Sequence, residues 1–304
     1  MDRIKSKNIF IITILLILTL GINGCTKDPE GVVAEVNGEE ITEEEYKKNL
    51  QIRKNLNKEE FGKDDLSKLD IKEEILNELI LETLISQEAE KRNISISDEE
   101  IEKEIDKNTE EVGGEEKLRE ELEDSGISFD YYKEFIKKQY LFNKYKQTIF
   151  NEIDISNKKA EKYFEKNKED LIITRASQIV VDDEKNGLDI LDKLEDGEKF
   201  EDLAVEKSLD SSSAVKGGDL GYFSKEMIKN KELEDIIFKL QVGEISELVK
   251  IEDEYYIIYL QDRKDKFEDL KDEVIILLKE EEYTKHIKEL QDNAKIKIFL
   301  KIDE

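Results

Sequence analysis

The stretch Gly217-Gly218-Asp219-Leu220-Gly221 places three glycines within five residues, and this spacing limits the folds open to the chain. Glycine adopts backbone conformations that a β-carbon forbids, so the segment can turn sharply. Phe223 follows closely, and Leu220 and Phe223 can then reach one shared surface. The pattern predicts a shallow apolar pocket on a small domain. A plain surface turn with a buried Leu and Phe is the alternative.

The chain is long enough for more than one domain and is strongly acidic. Its 304 residues carry a formal net charge of −28, and 38% of them are hydrophobic. This length favours about two domains, and the apolar content suffices for real cores. Because so negative a surface repels nucleic acid and anionic lipid headgroups, we exclude nucleic acid as a partner. The same surface tolerates basic or unfolded partners.

The N-terminal residues have the pattern of a targeting segment. A basic start is followed by an apolar run over residues 9–20 and then by Ile22-Asn23-Gly24-Cys25, which resembles a bacterial lipoprotein box. The run is shorter than the roughly 20 apolar residues of a membrane-spanning helix, so cleavage is favoured over spanning. We predict that Cys25 carries the lipid, with an uncleaved anchor as the alternative. Since Cys25 is the only cysteine, no intramolecular disulfide can form.

The first half of the mature chain predicts a mostly helical domain. Asn37-Gly38 between alternating apolar residues indicates a β-hairpin. The run from Asp70 to Arg92 is apolar around much of its girth, which predicts the core helix of this domain. Ser97 and Glu100 have the spacing of a capping box. A long helix with an aromatic stripe is predicted from Phe129 to about residue 149, and we interpret the stripe as core.

The pattern changes at Leu171. Residues 172–181 predict a strand, residues 185–208 two short helices, residues 233–240 another helix, and residues 248–251 and 255–260 two closing strands. This is an α+β plan of about 95 residues, a usual size for one domain. After Asp265 the chain returns to helix and ends in a strand-like run at 296–300.

Residues 172–262 resemble the parvulin family of peptidyl-prolyl cis/trans isomerases. The resemblance rests on Arg175-Ala176-Ser177 and on the ranges 197–204, 217–223 and 243–246. The flanks are similar to the helical domain of exported foldases of the PrsA and SurA kind, notably at 36–42 and 88–92. The resemblance implies a parvulin domain, a small antiparallel sheet with surrounding helices, inserted in a discontinuous helical chaperone domain. The limits expected are a signal peptide at 1–24, a tether at 25–31, the helical domain at 32–168, the parvulin domain at 169–264 and a returning helix and strand at 265–304.

The parvulin resemblance also implies site residues. The pocket for the proline ring is expected from Leu220, Phe223, Met227 and Leu233, with Leu233 where an aromatic residue is more usual. Two histidines typical of the family are replaced here by Gln178 and Tyr256, whereas Asp210 and Ser211 match the region of the family's acid or thiol. The residues expected to carry catalysis are therefore Gln178, Asp210, Ser211 and Tyr256. The one histidine, His286, is expected on the surface of the C-terminal helix.

The reaction implied is rotation about an X-Pro bond, whose barrier is about 18–20 kcal/mol. An apolar pocket and surroundings that favour the twisted amide lower this barrier without a metal, a cofactor or a covalent intermediate. The expected function is a membrane-anchored extracytoplasmic foldase that combines isomerisation with chaperone binding. The alternative is a chaperone or holdase whose parvulin domain is catalytically impaired, because both family histidines are replaced. A tethered acidic scaffold without clients is the third reading.

The partners expected are unfolded or folding exported polypeptides with X-Pro bonds, and the membrane through the lipid on Cys25. The location expected is the extracytoplasmic face of the cell membrane. The loop Asp182-Asp183-Glu184 is acidic, which excludes specificity for phosphoserine-proline. Both a monomer and a homodimer are left open.

Overall fold

The computed structural model describes residues 29–56, 69–228 and 230–300. Within the described residues, contacts define two compact units: Ile155–Leu278 is one, and the described residues before Ile155 together with those after Leu278 form the other. The predicted signal peptide, Cys25 and most of the predicted tether lie outside the described residues. Among the helices described, none is both long and apolar enough to span a bilayer. The domain limits at 168/169 and 264/265 stay predictions.

The discontinuous unit, which contains the residues on both sides of Ile155–Leu278, is mainly helical. It contains β1 (Val32–Val36), β2 (Glu39–Thr42), α1 (Glu43–Leu56), α2 (Leu69–Lys91), α3 (Asp98–Val112), α4 (Glu115–Asp124) and α5 (Phe129–Glu152). After the second unit, the chain completes α11 (Phe267–Asn293) and ends in β7 (Ile296–Ile298). Both β2 and β7 pair antiparallel with β1, so the sheet order is β2-β1-β7.

Local sequence explains the main elements of this unit. The predicted hairpin is confirmed: Asn37 and Gly38 have φ values of +54° and +94°, the conformation that a two-residue hairpin turn requires. The predicted capping box is also confirmed, since Ser97 Oγ accepts from the Glu100 N–H and the Glu100 carboxylate accepts from the Ser97 N–H. As predicted, α2 supplies much of the core, and its buried side chains include Ile75, Leu76, Leu79, Ile80, Leu84, Ile85 and Ala89.

His286 does not lie on the surface as expected. It is half-buried on α11, and its Nε2 lies 2.6 Å from the hydroxyl of Tyr145, a fully buried residue of α5. Burial lowers the pKa of His286, and the nearby charge of Arg92 lowers it further. The neutral imidazole is therefore favoured, and its ring stacks on that of Tyr145, so His286 joins α11 to α5 within this unit.

The continuous unit, Ile155–Leu278, has the predicted α+β composition. Its elements are α6 (Asn157–Leu171), β3 (Ile173–Val181), α7 (Glu184–Glu195), α8 (Phe200–Lys207), the single turn α9 (Ser211–Ala214), β4 (Asp219–Ser224), α10 (Lys231–Lys239), β5 (Val249–Ile251) and β6 (Glu254–Lys264). The four strands form an antiparallel sheet in the order β4-β3-β6-β5. The predicted fold class is thus confirmed.

The two faces of this sheet are covered by different helices. Ile179 and Ile257 point to one face, where they pack on Ile190 of α7 and Phe200 of α8. We call this the α7 face. Ala176, Ile258 and Leu260 point to the other face and pack with Phe223 of β4 and Ile237 of α10, and we call this the α10 face. Successive residues of a strand alternate between faces, so Gln178, two residues after Ala176, belongs to the α10 face.

Candidate active site

The glycine segment ends α9 and leads into β4. The N–H of Gly217 donates to the carbonyl of Ala214 over 2.9 Å, and the N–H of Gly218 donates to the carbonyl of Ser213 over 2.9 Å, which is a Schellman arrangement. Gly218 has a φ of +81°, and a β-carbon there would lie 2.4 Å from the carbonyl oxygen of Gln178. Only glycine therefore lets this turn approach the centre of β3, where the Gln178 N–H donates to the Gly218 carbonyl over 2.9 Å.

An ion pair fixes the start of β4 on β3. Arg175 donates from Nε and Nη2 to the two carboxylate oxygens of Asp219, over 3.1 and 2.6 Å. Asp219 also accepts from the N–H of Gly221 over 2.9 Å. These bonds lower the pKa of Asp219, and the bonds from Arg175 have the largest effect. In the pairing of β3 with β4, Arg175 lies opposite Tyr222 and Ser177 lies opposite Asp219. One residue separates these positions on β3 and two separate them on β4, so β4 contains one extra residue here. This β-bulge sets the direction of the chain next to the candidate site.

Asp210 is the centre of a hydrogen-bond network on the turn before the glycine segment. Its Oδ2 accepts from Gln178 Nε2 over 2.7 Å and from Ser213 Oγ over 2.5 Å. Its Oδ1 accepts from Ser212 Oγ over 2.6 Å and from the Ser212 N–H over 3.2 Å. Burial alone would raise the pKa of Asp210, but the bonds from the two serines and Gln178 outweigh it and lower the pKa to about 2. At neutral pH Asp210 is therefore a fixed anion that accepts hydrogen bonds.

Ser211 and Tyr256 lie near this network but use other partners. Ser211 is exposed, and its N–H donates to the Leu209 carbonyl over 2.9 Å. The ring of Tyr256 packs against the apolar cluster of the α10 face, and its hydroxyl donates to Glu254 Oε2 over 2.8 Å. Burial raises the pKa of Tyr256 to about 12, and the bond to Glu254 adds to the rise. Of the four predicted polar residues, Gln178 and Asp210 are therefore bonded to each other. Ser211 and Tyr256 are bonded to other residues.

The predicted apolar residues fall into two groups. Phe223 is buried, and Leu233 packs with it in the apolar cluster of the α10 face. Leu220 and Met227 lie at the surface, with 36% and 63% of their area exposed. The cluster also contains Ile228 and Phe238, which the sequence interpretation did not include. Phe238 lies on α10 five residues after Leu233. Because residues on one helix face recur at spacings of three, four or seven, periodicity gave no signal for Phe238.

Sequence reasoning also missed the serines that hold Asp210. It singled out Ser211, whereas the hydroxyl donors to Asp210 are Ser212 and Ser213. The signal was present: an aspartate that begins a helical turn accepts from residues two and three positions later. Within the described ranges, no group of three or more His, Cys, Asp or Glu side chains is arranged to hold a metal ion.

Comparisons with known proteins agree with this architecture. Residues 3–146 match the SurA-like N-terminal domain family, and residues 153–264 match the PPIC-type PPIase domain family. The chain is 31% identical to the foldase protein PrsA of Halalkalibacterium halodurans, over 89% of this chain and 77% of that protein. It is 31% identical to PrsA of Caldanaerobacter subterraneus, over 91% of this chain and 90% of that protein. A crystal structure of the peptidylprolyl isomerase PrsA from Bacillus anthracis is 29% identical, covers 72% of this chain and 94% of its own, and aligns with a TM-score of 0.34.

The two domain matches define the class: a foldase with a SurA-like N-terminal domain and a parvulin-type peptidyl-prolyl isomerase domain. The full-length similarity then gives the family, because it extends over most of both the chain and its relatives. The chain belongs to the PrsA foldase family. The resemblance stated from the sequence is confirmed.

Proposed function

We propose that this protein is an extracytoplasmic foldase that accelerates cis/trans isomerisation of X-Pro bonds in unfolded exported polypeptides. The observation that carries the proposal is the ionised Asp210, held by Gln178 on the same face of the sheet as the apolar cluster of Phe223 and Leu233. That face combines a fixed negative charge with an apolar surface suited to a proline ring. We place the isomerase domain at residues 169–264, with Leu220 and Met227 as exposed contacts for the client.

The chemistry follows from the resonance of the amide. Resonance places negative charge on the amide oxygen and gives the C–N bond its barrier of about 18–20 kcal/mol. A fixed carboxylate near that oxygen disfavours this charge, so Asp210 favours the twisted amide, in which the charge is smaller. Gln178 donates to Asp210 and so positions the carboxylate. Since Asp210 stays ionised at neutral pH, the step involves no proton transfer from it.

NMR exchange spectroscopy on an unphosphorylated peptide with one X-Pro bond tests this function. We expect the protein to raise the cis/trans exchange rate above the uncatalysed rate. Asp210→Asn is expected to lower kcat/KM about tenfold or more, a loss of at least about 1.4 kcal/mol. Asp192→Asn, an exposed carboxylate on α7, is the matched control and should leave kcat/KM unchanged. An exchange rate equal to the uncatalysed one would remove the isomerase proposal.

A second candidate function is a holdase whose parvulin domain does not turn over. The observation that favours it is that Tyr256, at a position where the family typically has histidine, bonds to Glu254 and not to Gln178 or Asp210. An aggregation assay with a chemically unfolded client separates the two functions. Suppression of aggregation without faster X-Pro exchange supports the holdase, and faster exchange supports the enzyme.

We also propose that a lipid on Cys25 holds the protein at the extracytoplasmic side of the cell membrane. Two acyl chains on one cysteine give stable anchoring, whereas one chain does not. Cell fractionation of the Cys25→Ser variant tests this: the variant should move from the membrane fraction to the soluble exported fraction. A variant that stays with the membrane would contradict the anchor.

Sedimentation of the wild type distinguishes a monomer from a homodimer.

A further inference from the structure

The Ile155–Leu278 unit has a second concave surface, which the proposed isomerase site does not use. It is an open groove of about 760 Å³ between α7 and residues 245–250. Binding clefts in proteins commonly measure about 300–1,000 Å³. Its floor is apolar and includes Leu191, Leu248 and Tyr255, and Leu188 on the rim is 49% exposed. We call this surface the α7 groove.

The α7 groove lies on the face of the sheet opposite to Asp210. Tyr255 lines the groove and packs with the α7-face cluster, whereas its neighbour Tyr256 packs with the α10-face cluster. Adjacent residues of a strand point to opposite faces, so one β6 backbone separates the two surfaces. The α7 groove is therefore a separate surface and not an extension of the isomerase site.

Both walls of the groove are held in place. A β-carbon at Gly187 of α7 would lie 2.4 Å from Leu248 Cδ1, so glycine permits close contact between the walls at this point. On the other wall, the Ser246 N–H donates to the Ile258 carbonyl over 2.7 Å, and Ser246 Oγ accepts from the Ile258 N–H over 2.9 Å. Because the buried Ser246 ties the loop to β6, the groove exists without a ligand.

The length of the groove suits an extended peptide. Glu184 and Glu195, the first and last residues of α7, both line it. Eleven helical steps of about 1.5 Å separate them, which gives a length of roughly 16 Å. An extended chain advances about 3.3 Å per residue, so the groove spans about five residues of such a chain.

The charge of the groove selects the chemistry of that peptide. Glu184, Glu195 and Glu247 line it, against Lys250 alone among basic residues. Lys250 Nζ lies 5.5 Å from the Tyr255 ring centre, and Lys193 of α7 pairs with Asp189 over 2.6 Å. In the part of the chain that the structure describes, none of the three carboxylates forms an ion pair. Basic side chains of a ligand would supply the missing counter-charges.

We propose that the α7 groove binds an extended client segment that carries apolar and basic side chains, independently of proline. This inference rests on the proposed foldase function, and it adds a second client site on the opposite face of the isomerase domain. Apolar side chains of the segment contact Leu188, Leu191 and Leu248, and its basic side chains pair with Glu184, Glu195 and Glu247. A client held there keeps its neighbouring X-Pro bonds at high local concentration near the isomerase site.

Fluorescence anisotropy with a labelled, proline-free peptide of about ten residues, composed of Leu, Lys, Ser and Gly, tests the proposal. We expect the full-length protein to bind it more tightly than a matched peptide in which Glu replaces Lys. Leu188→Ser and Glu195→Lys should each raise Kd at least about fivefold. Val205→Ser and Asp192→Lys, exposed positions outside the groove, are the matched controls and should leave Kd unchanged. Glu247→Lys changes the wall opposite α7, so it tests the groove independently of the α7 variants and should also raise Kd.

Three outcomes would overturn the proposal. Equal Kd values for the groove and control variants would show that binding lies elsewhere. Equal binding of the acidic peptide would remove the charge argument. A wild-type dimer that Leu188→Ser dissociates would show that a second copy of the chain occupies the groove. Failure of the isomerase function is distinguished by X-Pro exchange: Asp210→Asn should change the exchange rate but not the peptide Kd, and the groove variants should do the reverse.

Discussion

Gln178 Nε2 and Asp210 Oδ2 are joined by a 2.7 Å hydrogen bond across 32 residues of sequence. The bond ties the centre of β3 to the turn that precedes the glycine segment. Its donor is a neutral amide, which cannot take the charge of the carboxylate away. The pair therefore keeps a negative charge at one fixed point on the α10 face, where an imidazolium donor would have neutralised it.

The network around Asp210 predicts an acid-sensitive stability. Because the folded-state pKa of about 2 lies below the ordinary value of 3.8, Asp210 stabilises the fold above about pH 4, and this contribution is lost as the pH falls toward 2. We expect Asp210→Asn to unfold at a lower urea concentration than the wild type at neutral pH. Between about pH 2 and pH 4 its free energy of unfolding should depend less on pH, because unfolding takes up as much as about one proton fewer. Urea titrations monitored by circular dichroism measure both. Identical pH dependence in the two proteins would contradict the prediction.

The glycine segment predicts an ordered series of substitutions. Gly218→Ala places a β-carbon 2.4 Å from the Gln178 carbonyl, so we expect a large loss of both stability and X-Pro exchange activity. Gly221→Ala meets no atom within 4 Å but keeps a φ of +72°, which costs about 1–2 kcal/mol. Gly197→Ala, with a φ of +94° and equally open surroundings, is the control: it should cost similar stability and leave the activity intact. Gly218→Ala with wild-type stability would refute the packing argument.

The surface of the α10 face predicts a separation between stability and substrate binding. Met227→Ala removes an exposed side chain and should change the free energy of unfolding by less than about 0.5 kcal/mol while raising KM for an X-Pro peptide. Phe223→Ala should destabilise by about 3–5 kcal/mol, because that ring is 93% buried in its cluster, with 7% exposed. Val242 is another exposed apolar residue of the Ile155–Leu278 unit, and Val242→Ala should change neither the free energy of unfolding nor KM. An unchanged KM for Met227→Ala would remove Met227 from the client contact.

Glu82 in the helical unit predicts a second pH dependence, of opposite sign. Burial, with the nearby carboxylates of Glu78 and Glu45, raises the pKa of Glu82 to about 7 against the opposing charge of Lys138. The folded state thus holds this proton more tightly than the unfolded state, so stability is lost as the pH rises through 7. Glu82→Gln keeps a partner for Gln139, which donates to Glu82 over 2.9 Å. We expect the variant to gain stability over the wild type, by on the order of 1 kcal/mol at about pH 8 and by little at about pH 5. A constant difference between these two pH values would contradict the raised pKa.

Local patterns in the sequence predicted the elements whose causes are local. The Asn37-Gly38 turn and the Ser97–Glu100 cap depend on residues at most three positions apart, and both form as predicted. The need for glycine at Gly218 was also readable, because the positive φ belongs to a short turn. The boundaries of β3 and α2 also depend on local sequence, and each differs from the predicted boundary by no more than one residue.

Contacts between distant segments could not be read in this way. The Arg175–Asp219 pair joins residues 44 positions apart, and the contact of Tyr145 with His286 joins residues 141 positions apart. Neither follows from periodicity or from a cap. The exposure of Met227 likewise depends on how α10 packs on the sheet. The roles of Gln178, Asp210, Ser211 and Tyr256 in catalysis stay predictions that the kinetic experiments above test.

The pairing of β7 with β1 has a consequence for how the chain folds as it is made. The Asn37 side chain accepts from the Lys295 N–H, 258 residues later, so the sheet of the helical unit cannot close until the last strand has been synthesised. The Ile155–Leu278 unit is continuous and needs no later residues for its four strands. Domains fold as units during synthesis, and pairings between remote segments form late. The continuous unit can therefore form its sheet before β7 is synthesised, whereas the sheet of the helical unit is completed only afterwards.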